Sequence, residues 1–306
     1  LNREAQKGLY GLIGYPVSHS LSPAIFTAAF DAAGINATYE LYPIAPDRLE
    51  EGVNEILGRG VRGLNVTVPH KAGVIPLMTQ LDESARLAGA VNTIEVRSEG
   101  MVGHNTDMRG FEDSFVPLGV PDIQGCRVLV LGAGGAARAV LVSLARHGAS
   151  EILVANRYVD EAVDLVSFVT RQYTDVRFRV LPLEEREIGQ AVPETVLCVQ
   201  ATSLGLKETD PLPMDPSLLP GDCFIYDLVY GPAETAFVRT ARSRGYQAAD
   251  GKEMLLRQAA VSFLIWFRKN PPIDAMKAGI DGAIRGAAAG GRKPETVGGK
   301  PPDDTF

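Results

Sequence analysis

The sequence predicts an α/β protein of two domains, each built on a mostly parallel sheet. Three observations predict it: short β-type runs alternate with helix-type patterns, the alternation restarts near Gly125, and a glycine-rich turn follows the most apolar run. With 306 residues and 45% hydrophobic content, the chain has material for two ordinary domains.

Taken in order, the first third opens with a β run at Leu9 to Ile13. A helix from Pro23 to about Ala33 follows; Ser22 can cap it, and Pro23 suits the first helical position, where a missing N–H costs nothing. Thr38 to Tyr42 reads as a strand, Leu49 to Leu57 as a helix and Gly63 to Val68 as a strand. Residues 70–89 read as helical with a break before Leu81, and Thr93 to Val96 with Met101 to Gly103 reads as a hairpin.

The second series starts at Arg127 to Leu131, a nearly unbroken apolar strand that must be covered on both faces. Helix Ala136 to His147, strand Glu151 to Ala155, helix Glu161 to Gln172, and strands Arg177 to Leu181, Thr195 to Val199 and Phe224 to Leu228 complete a doubly wound sheet. After Asp250, residues Leu255, Leu256, Ala259, Phe263 and Phe267 share one helical face, and this helix is expected to return to the first domain. The expected division is 1–106 plus 251–285 for one domain and 107–250 for the other. Residues 286–306, rich in Gly, Pro, Lys and Asp, are expected to be a disordered tail.

A formal net charge of -7 and a pI near 5.3 supply no basic field, so no nucleic-acid partner is expected, whereas a small anionic ligand needs only a few local donors. Cys126, Cys198 and Cys223 are odd in number and lie in apolar runs that read as buried strands, which makes them core residues. No run approaches the roughly 20 apolar residues that cross a bilayer, and no basic segment leads into an apolar one at the N-terminus. The expectation is a cytoplasmic monomer or homodimer without a membrane partner. No Cys and His spacing suggests a metal.

Gly132, Gly134 and Ala137 fit the pattern G-x-G-x-x-[GA] between a buried strand and a helix. The first glycine permits the tight turn and the second lets backbone approach a pyrophosphate at the positive helix end, the arrangement of a Rossmann-like dinucleotide-binding domain. The next strand ends in Ala155, Asn156 and Arg157, where an NAD site usually carries an acid. An arginine there can meet a 2′-phosphate with charge-assisted hydrogen bonds, so NADP is the expected cofactor.

The front third carries more polar groups at element ends than a plain fold needs. Ser18, His19, Ser20, Leu21, Ser22 and Pro23 place two hydroxyls beside free N–H groups, a receptor for a carboxylate. Capping explains Ser22 but not Ser20 as well. Asn65, Val66, Thr67, Val68, Pro69, His70 and Lys71 end a strand and then supply a lysine at a helix start, where a cation gains no stability. Asn92, and then Asn105, Thr106 and Asp107, add amides and a carboxylate. A lysine can stabilise charge forming on a ketone oxygen and then donate a proton, and an adjacent carboxylate can orient it. An ordinary surface salt bridge is the plainer reading of such a pair.

These motifs together resemble the shikimate dehydrogenase family. The resemblance covers roughly residues 8–285 and rests on S-H-S-L-S-P, N-V-T-V-P-H-K, G-A-V-N-T, N-T-D, G-A-G-G-A-A-R, N-R, A-T-S, Y-D-L-V-Y and D-G-K-E-M-L-x-x-Q in one order. It implies NADPH-dependent reduction of 3-dehydroshikimate to shikimate. Lys71 and Asp107 would be the catalytic pair and Ser20 and Ser22 would bind the substrate carboxylate. Thr67, Lys71, Asn92, Asp107 and Gln258 would hold ring hydroxyls, with Tyr230 beside the substrate. Gly132, Ala133, Gly134, Gly135, Ala136, Asn156, Arg157 and Leu228 would bind the cofactor, and Gly251 and Met254 would lie near its nicotinamide. Tyr158 and Glu161 stand where the family often has a hydroxyl and a second base, Gln200 replaces an asparagine, Lys252 and Glu253 are an unusual pair beside the nicotinamide end, and His70 is expected to line the site. His19, His104 and His147 are expected to serve packing or surface only. Two alternatives stay open: a quinate or aminoshikimate enzyme using NAD, and a non-catalytic metabolite sensor.

Overall fold

The computed structural model describes residues 7–207 and 209–289. The front half forms β1 (Gly8–Gly14), α1 (Ser22–Ala33), β2 (Ala37–Pro43), α2 (Leu49–Gly58), β3 (Val61–Val66), β4 (Gln80–Leu81), α3 (Glu83–Ala88), β5 (Thr93–Arg97) and β6 (Gly100–His104). Its sheet runs β2-β1-β3-β5-β6-β4. β1 lies parallel to both β2 and β3, and β4 lies parallel to β6, whereas the expected hairpin makes β5 antiparallel to β3 and β6. Two short helices, α4 (Thr106–Asp113) and α5 (Phe115–Leu118), then lead to the second sheet.

That sheet comprises β7 (Arg127–Leu131), α6 (Gly135–Arg146), β8 (Glu151–Asn156), α7 (Val159–Thr170), β9 (Arg177–Pro182), α8 (Glu185–Ala191), β10 (Thr195–Gln200), β11 (Phe224–Asp227), α9 (Ala236–Ser243) and β12 (Ala248–Ala249). The order β12-β11-β10-β7-β8-β9 is parallel throughout. The apolar reading of β7 is explained by its cover: Val128 and Val130 join one core cluster, Leu129 and Leu131 join the other, and all four are fully buried. The sequence order reverses between β7 and β10, which opens a crevice at their carboxyl ends.

Two helices close the described chain, α10 (Lys252–Phe267) and α11 (Ile273–Ala289). Leu255, Leu256, Ala259 and Phe263 of α10 pack with Tyr10, Phe26 and Phe30 of the first sheet's layer, as their spacing predicts, and Met276 and Ile280 of α11 join them. The Trp266 indole N–H donates to the Ile94 carbonyl at 3.0 Å. α4 crosses α10 closely because Gly110 carries no side chain: a Cβ there would fall 2.7 Å from the Gln258 backbone nitrogen.

Several expectations are corrected. α1 starts at Ser22, so Ser22 is not its cap; Leu21 stands there without a side-chain bond, and the Ser20 hydroxyl accepts from the Ser22 N–H at 3.2 Å. Residues 70–89 are not one broken helix. Pro76 limits the middle to a 3-10 turn over Ile75–Leu77, β4 intervenes, and Asp82 caps the short α3 by accepting from the Ala85 N–H at 2.9 Å. Lys71 consequently sits in a turn and not at a helix start. Only Cys198 lies in a strand; Cys223 is buried just before β11, and Cys126 is partly exposed before β7. α11 continues to Ala289, so residues 286–289 are helical, and the rest of the expected tail, 290–306, lies outside the described residues.

Candidate active site

Lys71 comes from the turn after β3, and Asp107 from the first turn of α4. Their side chains meet at 2.6 Å with 13% and 7% of their surface exposed, so this is no surface salt bridge. The Lys71 backbone is pinned by its carbonyl, which accepts from the Val91 N–H at 2.7 Å. Asn92 donates to the other Asp107 oxygen at 2.8 Å, and its own carbonyl oxygen accepts from the Thr106 N–H at 2.7 Å. Gln258 arrives on α10, where its side-chain oxygen faces the Thr106 hydroxyl at 3.4 Å.

A chain of polar contacts runs from this ion pair's surroundings toward Ser22. Ser22 is buried, and its hydroxyl hydrogen-bonds the Tyr39 phenol, whose pKa burial pushes well above the ordinary tyrosine value, with Tyr230 nearby adding to the effect. The Tyr39 hydroxyl in turn donates to the Asn65 side-chain oxygen at 2.7 Å. Tyr230 is pushed up to about 12, first by burial and then by the Asp107 charge. Thr67 is held through its N–H by the Ile13 carbonyl at 2.9 Å, on the floor between the β1 and β3 ends. Lys71, Asp107, Asn92, Thr106 and Gln258 are thus linked by hydrogen bonds, and Ser22 reaches the same network through Tyr39, Asn65 and Thr93.

His70 does not line it. The ring is buried, and its Nε2 lies 2.7 Å from the Ile44 carbonyl, so the imidazole fastens the turn that carries Lys71. Tyr39, Asn65, Thr93, Thr106 and Ser262 form a buried polar set that the sequence reading gave no role. The available signal was polarity out of place: Asn65 inside an apolar strand and Ser262 beside Ala259 and Phe263 on a buried helix face.

In the second sheet β7 is followed by Gly132, whose φ of 106° suits glycine and whose Cβ would fall 3.0 Å from the Ala201 carbonyl group. Gly134 precedes α6, the first amides of that helix have no side-chain cap, and a Cβ at Gly134 would meet nothing within 4 Å. Uncapped amides at a positive helix end, facing open space that a side chain would fill, fit a pyrophosphate. A Cβ on Gly135 would meet the Lys71 Cδ at 3.2 Å, so the glycine turn and the lysine share one cleft. Gly251 and Leu228 adjoin here: the Leu228 carbonyl occupies the place of a Gly251 side chain, and Met254 packs in the same cluster as Leu228.

At the end of β8, the Asn156 amide donates to the Tyr158 carbonyl at 2.8 Å and to the Glu161 carboxylate at 3.1 Å. Arg157 is exposed and lies 5.4 Å over the Tyr158 ring, with no carboxylate partner among the described residues. A free guanidinium stacked on a ring fits an anionic 2′-phosphate. The unusual Gln200 is buried and closes the following turn, donating to the Leu204 carbonyl at 2.8 Å and accepting from the Thr202 N–H at 2.5 Å. Lys252 pairs with Asp250 at 2.7 Å and Glu253 pairs with Arg257 at 2.7 Å, so both are engaged locally.

Comparison with known proteins agrees with this construction. Residues 12–94 match the family model for the shikimate dehydrogenase substrate binding domain, and residues 117–203 match that for shikimate / quinate 5-dehydrogenase. A shikimate dehydrogenase (NADP(+)) of Symbiobacterium thermophilum is 39% identical over 280 residues, covering 91% of this chain and 95% of that one. Its counterpart from Rubrobacter xylanophilus is 41% identical over 281 residues, covering 91% and 97%. The crystal structure of the Thermus thermophilus shikimate 5-dehydrogenase in complex with NADP(H) and shikimate superposes with a TM-score of 0.79 at 32% identity, covering 90% of this chain and 99% of that one. Identity at this level along nearly the whole of both partners, on the same two-sheet architecture, makes this chain a member of the shikimate dehydrogenase family.

Proposed function

We propose that this chain catalyses the reversible NADPH-dependent reduction of 3-dehydroshikimate to shikimate, the step its family serves in making aromatic amino acids. One observation carries the reading: the Lys71–Asp107 pair, 2.6 Å apart and largely shielded from water, stands against the Gly135 turn of the opposite sheet. NADPH, when bound, supplies the hydride. Lys71 holds a proton at Nζ, stabilises charge developing on the substrate carbonyl oxygen, and passes that proton to it. Asp107 fixes the ammonium by accepting its hydrogen bond, and Asn92 fixes Asp107.

Ser20 and Ser22 receive the carboxylate, and Thr67, Asn92 and Gln258 hold the ring hydroxyls with Tyr230 against the ring. Gly132, Ala133, Gly134, Gly135 and Ala136 hold the pyrophosphate, Asn156 and Arg157 the phosphorylated ribose, and Leu228, Gly251 and Met254 the nicotinamide. Residues 1–106 and 251–285 form the substrate domain and 107–250 the cofactor domain. The packing of α10 against the first sheet's layer supports that division. Among the described residues no helix is long and apolar enough to cross a membrane; we place the enzyme in the cytoplasm as a monomer or homodimer.

The test is steady-state kinetics at the nicotinamide absorbance band, with 3-dehydroshikimate and 3-dehydroquinate each against NADPH and NADH. The expected result is the highest kcat/KM for 3-dehydroshikimate with NADPH. A chain that oxidises neither cofactor with either substrate is not this enzyme.

A further inference from the structure

Ser262 lies on α10, one helical turn beyond Gln258, and is fully buried. Four polar atoms surround its hydroxyl oxygen: the Gln258 carbonyl at 3.0 Å, the Asn65 amide nitrogen at 3.0 Å, the Thr93 hydroxyl at 2.8 Å and the Thr106 hydroxyl at 3.3 Å. A hydroxyl has one proton and two lone pairs. The Gln258 carbonyl can only accept, so the proton goes there. The Asn65 amide can only donate, so it takes one lone pair, and the short Thr93 contact takes the other. The places on Ser262, the hub of these bonds, are thereby filled, and the more distant Thr106 hydroxyl is left to its other neighbours, Asn92 and Gln258. Removing the oxygen would strand donors in a place without water, which the network would repair by turning its hydroxyls elsewhere.

The repair has one near destination. The Thr93 hydroxyl, deprived of Ser262, has the Asn92 side-chain oxygen 3.3 Å away. That oxygen already accepts from the Thr106 N–H and lies 3.2 Å from the Thr106 hydroxyl. Asn92 is the residue whose amide holds Asp107, and Asp107 holds Lys71. Ser262 thus stands three side chains behind the ion pair, through Thr93 and Asn92 to Asp107, and touches neither member of it.

We propose that Ser262 is a positioning residue: its hydroxyl sets the direction of the buried hydrogen bonds that aim Asn92 at Asp107. The inference rests on the proposed reductase reading. The hub lies behind the proton-delivering pair, so its loss acts first on kcat; because Asn92 also holds a ring hydroxyl in the proposed site, KM for 3-dehydroshikimate rises as well, by a smaller factor than kcat falls, while KM for NADPH stays nearly unchanged.

The experiment compares the wild type, Ser262→Ala, Ser262→Cys and Ser262→Thr by steady-state kinetics and thermal denaturation. Alanine is a better helix former than serine, so the first variant keeps its helix. Expected for Ser262→Ala is a fall in kcat of about five- to tenfold, the effect of one lost hydrogen bond, with a smaller rise in KM for 3-dehydroshikimate and KM for NADPH within about twofold. Cysteine, nearly isosteric but a weak hydrogen-bonding partner, behaves like alanine. Threonine keeps the oxygen and restores at least about half of the wild-type kcat, where a loss of plain packing would not be restored. Wild-type kcat in Ser262→Ala, a change confined to KM, or a threonine variant as slow as the alanine one overturns the proposal. A wild type without reductase activity overturns instead the function on which it rests.

Discussion

At the scale of single residues, the informative fact about Lys71 and Asp107 is their seclusion together with their contact. A solvent-exposed pair contributes little, but this one is shielded, and each partner has a further tether: Asn92 for the carboxylate and the Val91 N–H for the lysine backbone. Lys71→Ala removes the proposed proton donor while Asn92 continues to donate to Asp107. The variant should fold, as judged by circular dichroism, and lose about a hundredfold or more in kcat. A variant with normal turnover would take Lys71 out of the chemistry. In the proposed site Ser20 and Ser22 grip the part of the substrate that does not react, so changing both to alanine should raise KM for the substrate while kcat stays close to wild type. The meeting of Lys71 and Asp107 was expected from residue type at element ends, and the structure brings the two together. The seat of His70 was not, because its partner is the Ile44 carbonyl, distant in sequence, and only the fold brings a backbone acceptor there.

At the scale of elements, the segment from β11 to α9 carries Leu228 and Tyr230, and Asp227 secures its start. The buried carboxylate accepts from the Val229 N–H at 3.0 Å and the Thr235 hydroxyl at 2.6 Å. Burial pushes its pKa up to about 6 from an ordinary 3.8, the Asp250 charge adds to the rise, and the two hydrogen bonds oppose it. Between these values the folded protein holds a proton that the unfolded chain has released, so stability falls as pH rises through the window. Below it both states are protonated and the contribution is complete; above it both are ionised and the contribution is gone. Asparagine at this position does not titrate. Wild-type stability relative to Asp227→Asn should therefore drop by on the order of 1–3 kcal/mol between about pH 4 and pH 6.5 in urea denaturation. Parallel pH curves for the two proteins would mean that Asp227 titrates as an ordinary carboxylate. The long periodic elements here were readable from sequence, whereas the short ones around residues 70–89 were not: Pro76 and the Asp82 cap each act over only a few residues, against an apolar pattern that suggests helix on both sides of a break before Leu81.

At the scale of the whole molecule, the functional cleft lies between two sheets that share no strand, and it is assembled by a turn of one meeting the glycine turn of the other. A ligand bound there stabilises the folded protein in proportion to its affinity. NADP+ at about a hundredfold its Kd should add about 2.7 kcal/mol, read as a rise in Tm, and NAD+ at the same concentration should add less. Equal shifts would show that Arg157 does not read the 2′-phosphate. The Glu161 carboxylate on Asn156 makes this comparison informative, because an anion beside the proposed 2′-phosphate seat opposes the guanidinium.

The sequence by itself determined the two α/β series, the glycine turn and the polar residues at element ends, because hydrophobic period, glycine geometry and capping act within a few residues of one another. The tertiary structure alone decided that Lys71 faces both Asp107 and Gly135, that Gly110 lets α4 lie against α10, and that Ser262 closes a network joining β3, β5 and α10. Those pairings span up to 197 positions in sequence. No local preference encodes them; the packing of two sheets and a returning helix does.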